Sequence, residues 1–271
     1  MQPPRAARPR KPPVAAPELV DRADGPILFA VPGGGASTPR ELAPHRHARG
    51  QLFASSLGLL TVETPAGRWL LPPDRALWVP PDVEHAALAH GTMTGWSLYV
   101  HPAACDGLPR TPRALQVTPL LREAIARAAR WTPAGRVLTA GEQRLAAVIL
   151  DEIAAAVAAP LHLPMPTSPR LAELARALIA RPDDPRDLDA WARAAAMSTR
   201  SFTRRFRGET GMPFAAWRAQ LRMLLALERI AGGASITAVG LDLGYTSPSA
   251  FSAAFRRVFG TPPHHFSPGA R

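Results

Sequence analysis

The chain has 271 residues, 46% hydrophobic and 20% charged, with a formal net charge of +11. That length holds one large domain or two ordinary ones, each able to bury its own core. A lone Cys105 excludes a disulfide framework, and no apolar run approaches the roughly 20 residues of a membrane span. The Pro- and Arg-rich start has no apolar stretch behind it, so no secretory signal is expected and the cytoplasm is the expected compartment.

Residues 1–26 read as a disordered basic arm, with Arg5, Arg8, Arg10 and Lys11 and many prolines. Residues 27–110 carry short apolar or alternating runs at 27–31, 51–53, 57–64, 68–71, 76–79 and 94–100, cut by Gly and Pro. Many short strands with frequent turn signals predict an all-β sandwich or small barrel. Trp69, Trp78 and Trp96 fall in these runs and read as core. Over residues 111–160 the period changes. Leu120, Leu121, Ala124, Ile125 and Ala128 recur at helical spacing, as do Leu145, Val148, Ile149, Ile153 and Val157. The Ala/Ile/Leu/Val face of 141–159 either forms a homodimer surface or packs on its own barrel. Pro160, Pro164, Pro166 and Pro169 mark a linker over 161–169. Residues 170–271 read as helix throughout, near 170–180, 187–196, 199–209, 213–231, 236–243 and 247–259. The fold class is therefore α+β multidomain, a β half followed by an all-α half.

The charge is unevenly spread. Residues 12–167 are neutral, whereas 15 arginines face 8 acids in residues 168–271. A basic C-terminal half suggests a polyanionic partner, and an Arg-rich solvated surface is the alternative on charge alone.

This half also matches itself at a shift of 49 residues. Ser198 meets Ser247, Phe202 meets Phe251, Phe206 meets Phe255, Gly211 meets Gly260, Pro213 meets Pro262, and Trp217 meets Phe266. A fixed offset implies one supersecondary unit used twice. Each unit is two helices with a tight break. Leu188, Trp191, Ala192 and Ala195 form the apolar face of the first, and Ile236, Val239, Gly240 and Leu243 that of the second. Ser198 or Thr199 is suited to cap the following helix in one, and Ser247 with Pro248 in the other. The paired aromatics lie four apart and share the inward side. Outward lie Arg200, Thr203, Arg204 and Arg207 on one helix, and Ser249, Ser252, Ala253, Arg256 and Arg257 on the other. Arg reaches guanine bidentately, Ser and Thr reach several base edges, and Ala touches a thymine methyl. Arg207, Arg256 and Arg257 lie further along, where phosphate contact is expected. The intervening segment 213–231, about 28 Å as a helix, suits two reading helices in successive major grooves of one duplex.

Over 170–266 these residues resemble the AraC/XylS family of bacterial transcription regulators. The resemblance rests on Ala195-Ala196-Met197-Ser198, Phe202-Thr203-Arg204-Arg205-Phe206, Gly211-Met212-Pro213-Phe214, Leu243-Gly244-Tyr245, Phe251-Ser252-Ala253-Ala254-Phe255 and Gly260-Thr261-Pro262. It implies two helix-turn-helix units flanking a connecting helix, with base reading at Arg200, Thr203, Arg204, Ser249, Ser252 and Ala253. Small side chains stand in the second set where long polar ones are common in the family.

In the first half, His45-Arg46-His47 precedes Gln51, and Pro80-x-Asp82-x-x-His85 follows. Alternation along a strand puts His45 and His47 on one side. Three imidazoles and an amide oxygen suit Zn²⁺, Ni²⁺ or Fe²⁺. The spacing resembles the metal signature of the cupin barrel, with Gln51 at its Glu position and Asp82 at its second Gly. Loss of that carboxylate removes one charge and weakens divalent binding. The same histidines also suit the polar lining of an organic effector's site. His90 and His101 read as surface, and His264-His265 as decoration of the closing turn. A cupin-like barrel before such a DNA-binding half implies a ligand-responsive regulator and not an enzyme, with double-stranded DNA, a small-molecule or metal effector and a second copy of the chain as partners, RNA polymerase being a further candidate. A cupin metalloenzyme, a dioxygenase or isomerase with a helical extension, is the alternative.

Overall fold

The structure, a computed structural model, describes residues 17–21, 25–34, 41–73, 75–131, 137–157 and 161–267. The expected disordered arm lies mostly outside the described residues; within it, Pro17–Val20 forms a one-turn helix, α1. The first half is an antiparallel sheet of β1 (Leu28–Gly34), β2 (Glu41–His45), β3 (Gly50–Thr64), β4 (Gly67–Leu71), β5 (Arg75–Val79), β6 (His85–Val100), β7 (Arg113–Gln116) and β8 (His162–Pro164). The central ribbon is β3 paired with β6. At one end of the ribbon, β1 flanks β6 and β5 flanks β3, with β7 beyond β5; at the other end β2 flanks β6 and β4 flanks β3, with β8 beyond β4.

This ribbon is curled. Straight, the stretch from His85 to Tyr99 is about 46 Å long, yet both rings lie against His47, with centroids at 5.0 and 5.5 Å. The bend falls where the β3–β6 register shifts, between Ser55 and Leu57 and between Leu57 and Leu59. A bulge of this kind adds a residue to one strand and turns the following side chains over. Phe53 and Leu60 consequently share the inner face although they are an odd number apart. Two glycines permit the bend. Gly58 has φ +77° and Gly91 +62°, backbone that β-carbon-bearing residues rarely adopt. A Cβ on Gly58 would lie 2.4 Å from the Thr92 carbonyl oxygen.

The sheet has three buried faces. Its inside holds Phe53, Leu60, Val62, Leu77, Val79, Ala87 and Ala89. Its outside at the first end is covered by α2 (Pro119–Ala128) and α3 (Ala140–Ala155), whose Leu121, Ile125, Ile149 and Ile153 meet Leu52, Trp78 and Leu98. Thr118 caps α2, and Thr139 with Glu142 forms a capping box on α3. The apolar stripe predicted over 141–159 is thus spent largely on its own sheet. Trp69 and Trp78 are core, as expected, and Trp96 is half-buried against it.

The second half is helical: α4 (Pro169–Ala180), α5 (Leu188–Ala194), α6 (Thr199–Thr210), α7 (Phe214–Ala231), α8 (Ile236–Asp242) and α9 (Pro248–Phe259), closed by a 3₁₀ turn at Pro263–Phe266. Its core runs on into the sheet. Leu59 of β3, Leu70 of β4 and Leu163 of β8 belong to the same buried cluster as Trp191, Phe202, Trp217, Leu224 and Phe255. The predicted linker is therefore largely structured. β8 pairs with β4, His162 stacks on Trp69 at 4.5 Å, and the backbone carbonyls of His162 and Pro164 accept from Gln220 and the Trp217 indole. β7 likewise extends the sheet past the predicted limit at 110.

One ion pair joins the halves. Glu228 on α7, 6% exposed, accepts from Arg68 Nε and Nη2 at 2.8–3.0 Å and from Thr61 Oγ1 at 2.9 Å. Thr61 gives its only proton to the carboxylate, so His90 Nε2, 2.8 Å from that hydroxyl, is the donor to it. His90 is half-buried in the middle of β6, not at the surface as its sequence context suggested. Gly91 abuts the end of α7: a Cβ there would lie 2.6 Å from the Ala231 carbonyl oxygen.

Breaking a buried pair leaves one charge uncompensated, which costs about 3–5 kcal/mol, whereas apolar replacement of both partners is often near neutral. Glu228→Ala is expected to lower the urea midpoint strongly, and Arg68→Met with Glu228→Leu to recover most of the loss. A Glu228→Ala chain as stable as wild type would refute the pair's burial.

Candidate functional site

The duplicated units pack as their aromatic spacing requires. Phe202 and Phe206 stack at 5.8 Å, and Phe251 and Phe255 also lie 5.8 Å apart. Trp217 meets Phe206 at 5.6 Å, and its repeat partner Phe266 meets Phe255 at 5.7 Å. Ser198 Oγ accepts from the Ser201 amide and Ser247 Oγ from the Ala250 amide, so both predicted caps are made. Gly211 and Gly260 end the two helices in the left-handed region, at φ +73° and +76°. The offset slips at the turn. Ala196 and Gly244, both with positive φ, break the first helices 48 residues apart, so the second turn is longer by one residue, Thr246.

Outside this packing, Arg200, Arg204, Arg207, Ser249, Ala253, Arg256 and Arg257 are exposed, and Thr203 and Ser252 are half-buried. Arg200, Thr203, Arg204 and Arg207 line a shallow groove on α6. The Thr203 hydroxyl donates to the Thr199 carbonyl at 2.9 Å, leaving its lone pairs and methyl outward. Arg205 is different: it pairs with Glu209 at 2.9 Å, and Glu209 also accepts from the Ser168 amide. The connecting helix α7 has 18 residues, roughly 27 Å.

The curled ribbon brings the predicted histidines together. The ligand atoms of His45, His47 and His85 lie within 4.8 Å of one another. His47 and His85 are buried and His45 is exposed, so the cluster opens to solvent on one side. Each Nδ1 sits beside a backbone carbonyl, of Ala43 at 2.8 Å, Arg49 at 2.7 Å and Val83 at 2.8 Å. A carbonyl only accepts, so each Nδ1 carries the proton and Nε2 is the ring atom left for a ligand. This is the outer-shell arrangement that orients metal-ligating imidazoles.

His85 Nε2 is buried without a partner. Burial, assisted by the neighbouring His45 and His47, holds the His85 pKa down at about 4 against the pull of its bond to Val83. Gln51 Oε1 lies 2.9 Å from His47 Nε2, two acceptors face to face. Without a cation between them, the amide turned end for end would satisfy His47, Ser97 and Tyr99 together. The orphaned lone pair and the neutral nitrogen-and-oxygen donor set fit a divalent transition metal. Tyr99 and Ser97 were not legible as site residues: their places beside Gln51 depend on the curl. The Tyr99 phenol is held protonated by burial, which raises its pKa. Behind the cluster Arg49, fully buried, donates to the carbonyls of Leu19 and Pro26. His264 and His265 are exposed on the closing turn.

A duplicated, capped helix pair with basic outward faces, joined to a β half that gathers three histidines, defines a helix-turn-helix transcriptional regulator. A helix-turn-helix domain family matches residues 191–268. The transcriptional regulator NimR of Escherichia coli K12 is 32% identical over 222 residues, covering 82% of this chain and 81% of that protein. The regulator RipA of Corynebacterium glutamicum is 32% identical over 106 residues, 39% of this chain and 32% of that protein. Among solved structures, the DNA-binding domain of the global transcriptional factor AdpA, in complex with a target DNA, aligns at 32% identity over 36% of this chain and 90% of that one, with a TM-score of 0.34. The chain belongs to the AraC family of helix-turn-helix transcriptional regulators. The metalloenzyme alternative gives way, since the likeness to NimR runs through both halves. Among the described residues, no helix is long and apolar enough to cross a membrane.

Burial lowers the pKa of His90, with Glu228 opposing and Arg68 assisting, and burial also lowers that of His162. Each therefore takes up its proton at lower pH in the fold than in the unfolded chain, where protonation falls near pH 6.5. Their contribution is present above that pH and lost as pH falls below it. Thermal melts between about pH 7.5 and about pH 5.5 are expected to show a falling midpoint, with a shallower fall in His162→Gln. An equal slope in that variant would remove His162 from the account.

Proposed function

We propose that this chain is a ligand-responsive transcriptional regulator whose C-terminal half reads promoter DNA and whose β half binds the effector. The observation that carries the DNA reading is the pair of capped, aromatic-anchored helices whose outward arginines, Arg200, Arg204, Arg207, Arg256 and Arg257, are engaged in no side-chain hydrogen bond or ion pair among the described residues. In this reading α6 contacts base edges with Arg200, Thr203 and Arg204, and α9 with Ser249, Ser252 and Ala253. Arg207, Arg256 and Arg257 hold phosphates. The short side chains on α9 make α6 the main source of sequence discrimination.

His45, His47, His85 and Gln51 would hold Zn²⁺, Ni²⁺ or Fe²⁺, which would supply a Lewis-acidic position to the β half. The route from there to the DNA-binding half is β6 itself, which carries His85 at one end and His90 and Gly91 against α7. A homodimer formed through the solvent-facing side of α3, where Val148 is 37% exposed, belongs to the same reading. It is tested by whether the full chain elutes at twice its monomer mass.

Arg204→Ala is expected to weaken operator binding by about 1–3 kcal/mol and to relax recognition at one position. Arg256→Ala should instead weaken binding to all sequences and flatten the salt slope by about one unit. Both are read by binding titrations on operator and unrelated duplexes at several salt concentrations. Two variants that match wild type throughout would reject this orientation of α6 and α9. Elemental analysis of the purified chain is expected to find a divalent transition metal that His47→Ala loses; equal metal in both would reject the metal site.

A further inference from the structure

We propose that the effector is a small carboxylate that completes the coordination of the metal held by His45, His47, His85 and Gln51, its second oxygen held by the Tyr99 hydroxyl. This rests on the metal reading above and adds the charge and class of the ligand.

None of the donors brings a negative charge, and among the described residues no carboxylate joins them. A divalent ion there keeps its full double charge. Around it the wall is apolar: Phe53 lies 5.4 Å from His85, and Leu77 and Val79 are buried in the same cluster. The fully buried Arg49, two residues from His47 in the chain, is a further cation. An uncompensated dication in such surroundings is costly, and an entering anion relieves that cost. With three imidazoles and the Gln51 amide oxygen as donors, an exogenous ligand would be a fifth, a coordination number that such sites reach. The exposed side at His45 gives the anion its way in.

The choice of a carboxylate over a simple anion comes from the neighbouring polar groups. Gln51 Nε2 reaches Ser97 Oγ at 3.1 Å and Tyr99 Oη at 3.2 Å, a polar strip beside His47 on an otherwise apolar wall. The Tyr99 hydroxyl accepts from Gln51 Nε2, which leaves its own proton to donate. One carboxylate oxygen would be held by the metal while the other accepts from the Tyr99 hydroxyl. The step is a ligand exchange, with no bond broken in the carboxylate.

The test uses the full chain, stripped and reloaded with Co²⁺ in chloride-free buffer. Metal content is measured first, then the visible spectrum during titration with acetate, with azide and with neutral acetamide. Acetate and azide are expected to shift the cobalt bands saturably, and acetamide to leave them unchanged. Tyr99→Phe should retain cobalt and azide binding but weaken acetate several-fold. Gln51→Glu should hold cobalt at least as well while binding both anions about tenfold more weakly, its own carboxylate having supplied the missing charge. Failure to retain cobalt would overturn the metal reading and this one together. Cobalt retained with bands indifferent to both anions would overturn this one alone, and a Tyr99→Phe chain that binds acetate like wild type would overturn the carboxylate assignment.

Discussion

The fold turns on the bend in the β3–β6 ribbon. A straight ribbon would hold His85 and Tyr99 far apart and present no concave face. Curled at the Gly58 bulge and at Gly91, it encloses a core, gathers three imidazoles, and exposes a convex back. The connecting helix packs on that back, with Thr61 and Arg68 reaching Glu228. The bend therefore places both the ligand cluster and the seam between the halves. A side chain at Gly58 would strike backbone, which a shift of rotamer cannot relieve.

The C-terminal half has a simpler logic. The helices α6 and α9 are each held from behind by two phenylalanines one turn apart and a further aromatic from the next element, so most of the opposite face is left to solvent. Caps at Ser198 and Ser247 and the left-handed glycines at Gly211 and Gly260 set where each helix starts and stops. The two units differ where the second turn gains Thr246, and where Gly240, packed on Phe251, takes the place of Ala192.

Legibility followed the range of the forces involved. Helical period, caps and paired aromatics act within a few residues, so Phe202, Phe206, Gly211 and their repeat partners announced the second half nearly element by element. The histidine set was legible too, because His45 and His47 alternate on one strand and His85 follows Pro80 at a telling distance. Tyr99 was not, since its nearness to His47 depends on a bend whose only local sign is two glycines among many. The partnership of Arg68 with Glu228 spans 160 residues of chain and has no local signature at all. His90 was misread for the same reason, and β8 because three residues between prolines carry no period.

That last strand has a consequence for how the protein comes apart. Its composition marks the obvious seam between the halves, yet its backbone is knitted into the sheet on one side and accepts side-chain donors from the connecting helix on the other. Cleavage there would strand Leu163 outside the core it helps fill and leave the Trp217 indole without an acceptor. A C-terminal fragment begun at the prolines would carry a raw apolar furrow along its longest helix. One begun ahead of His162 would take its own lining with it.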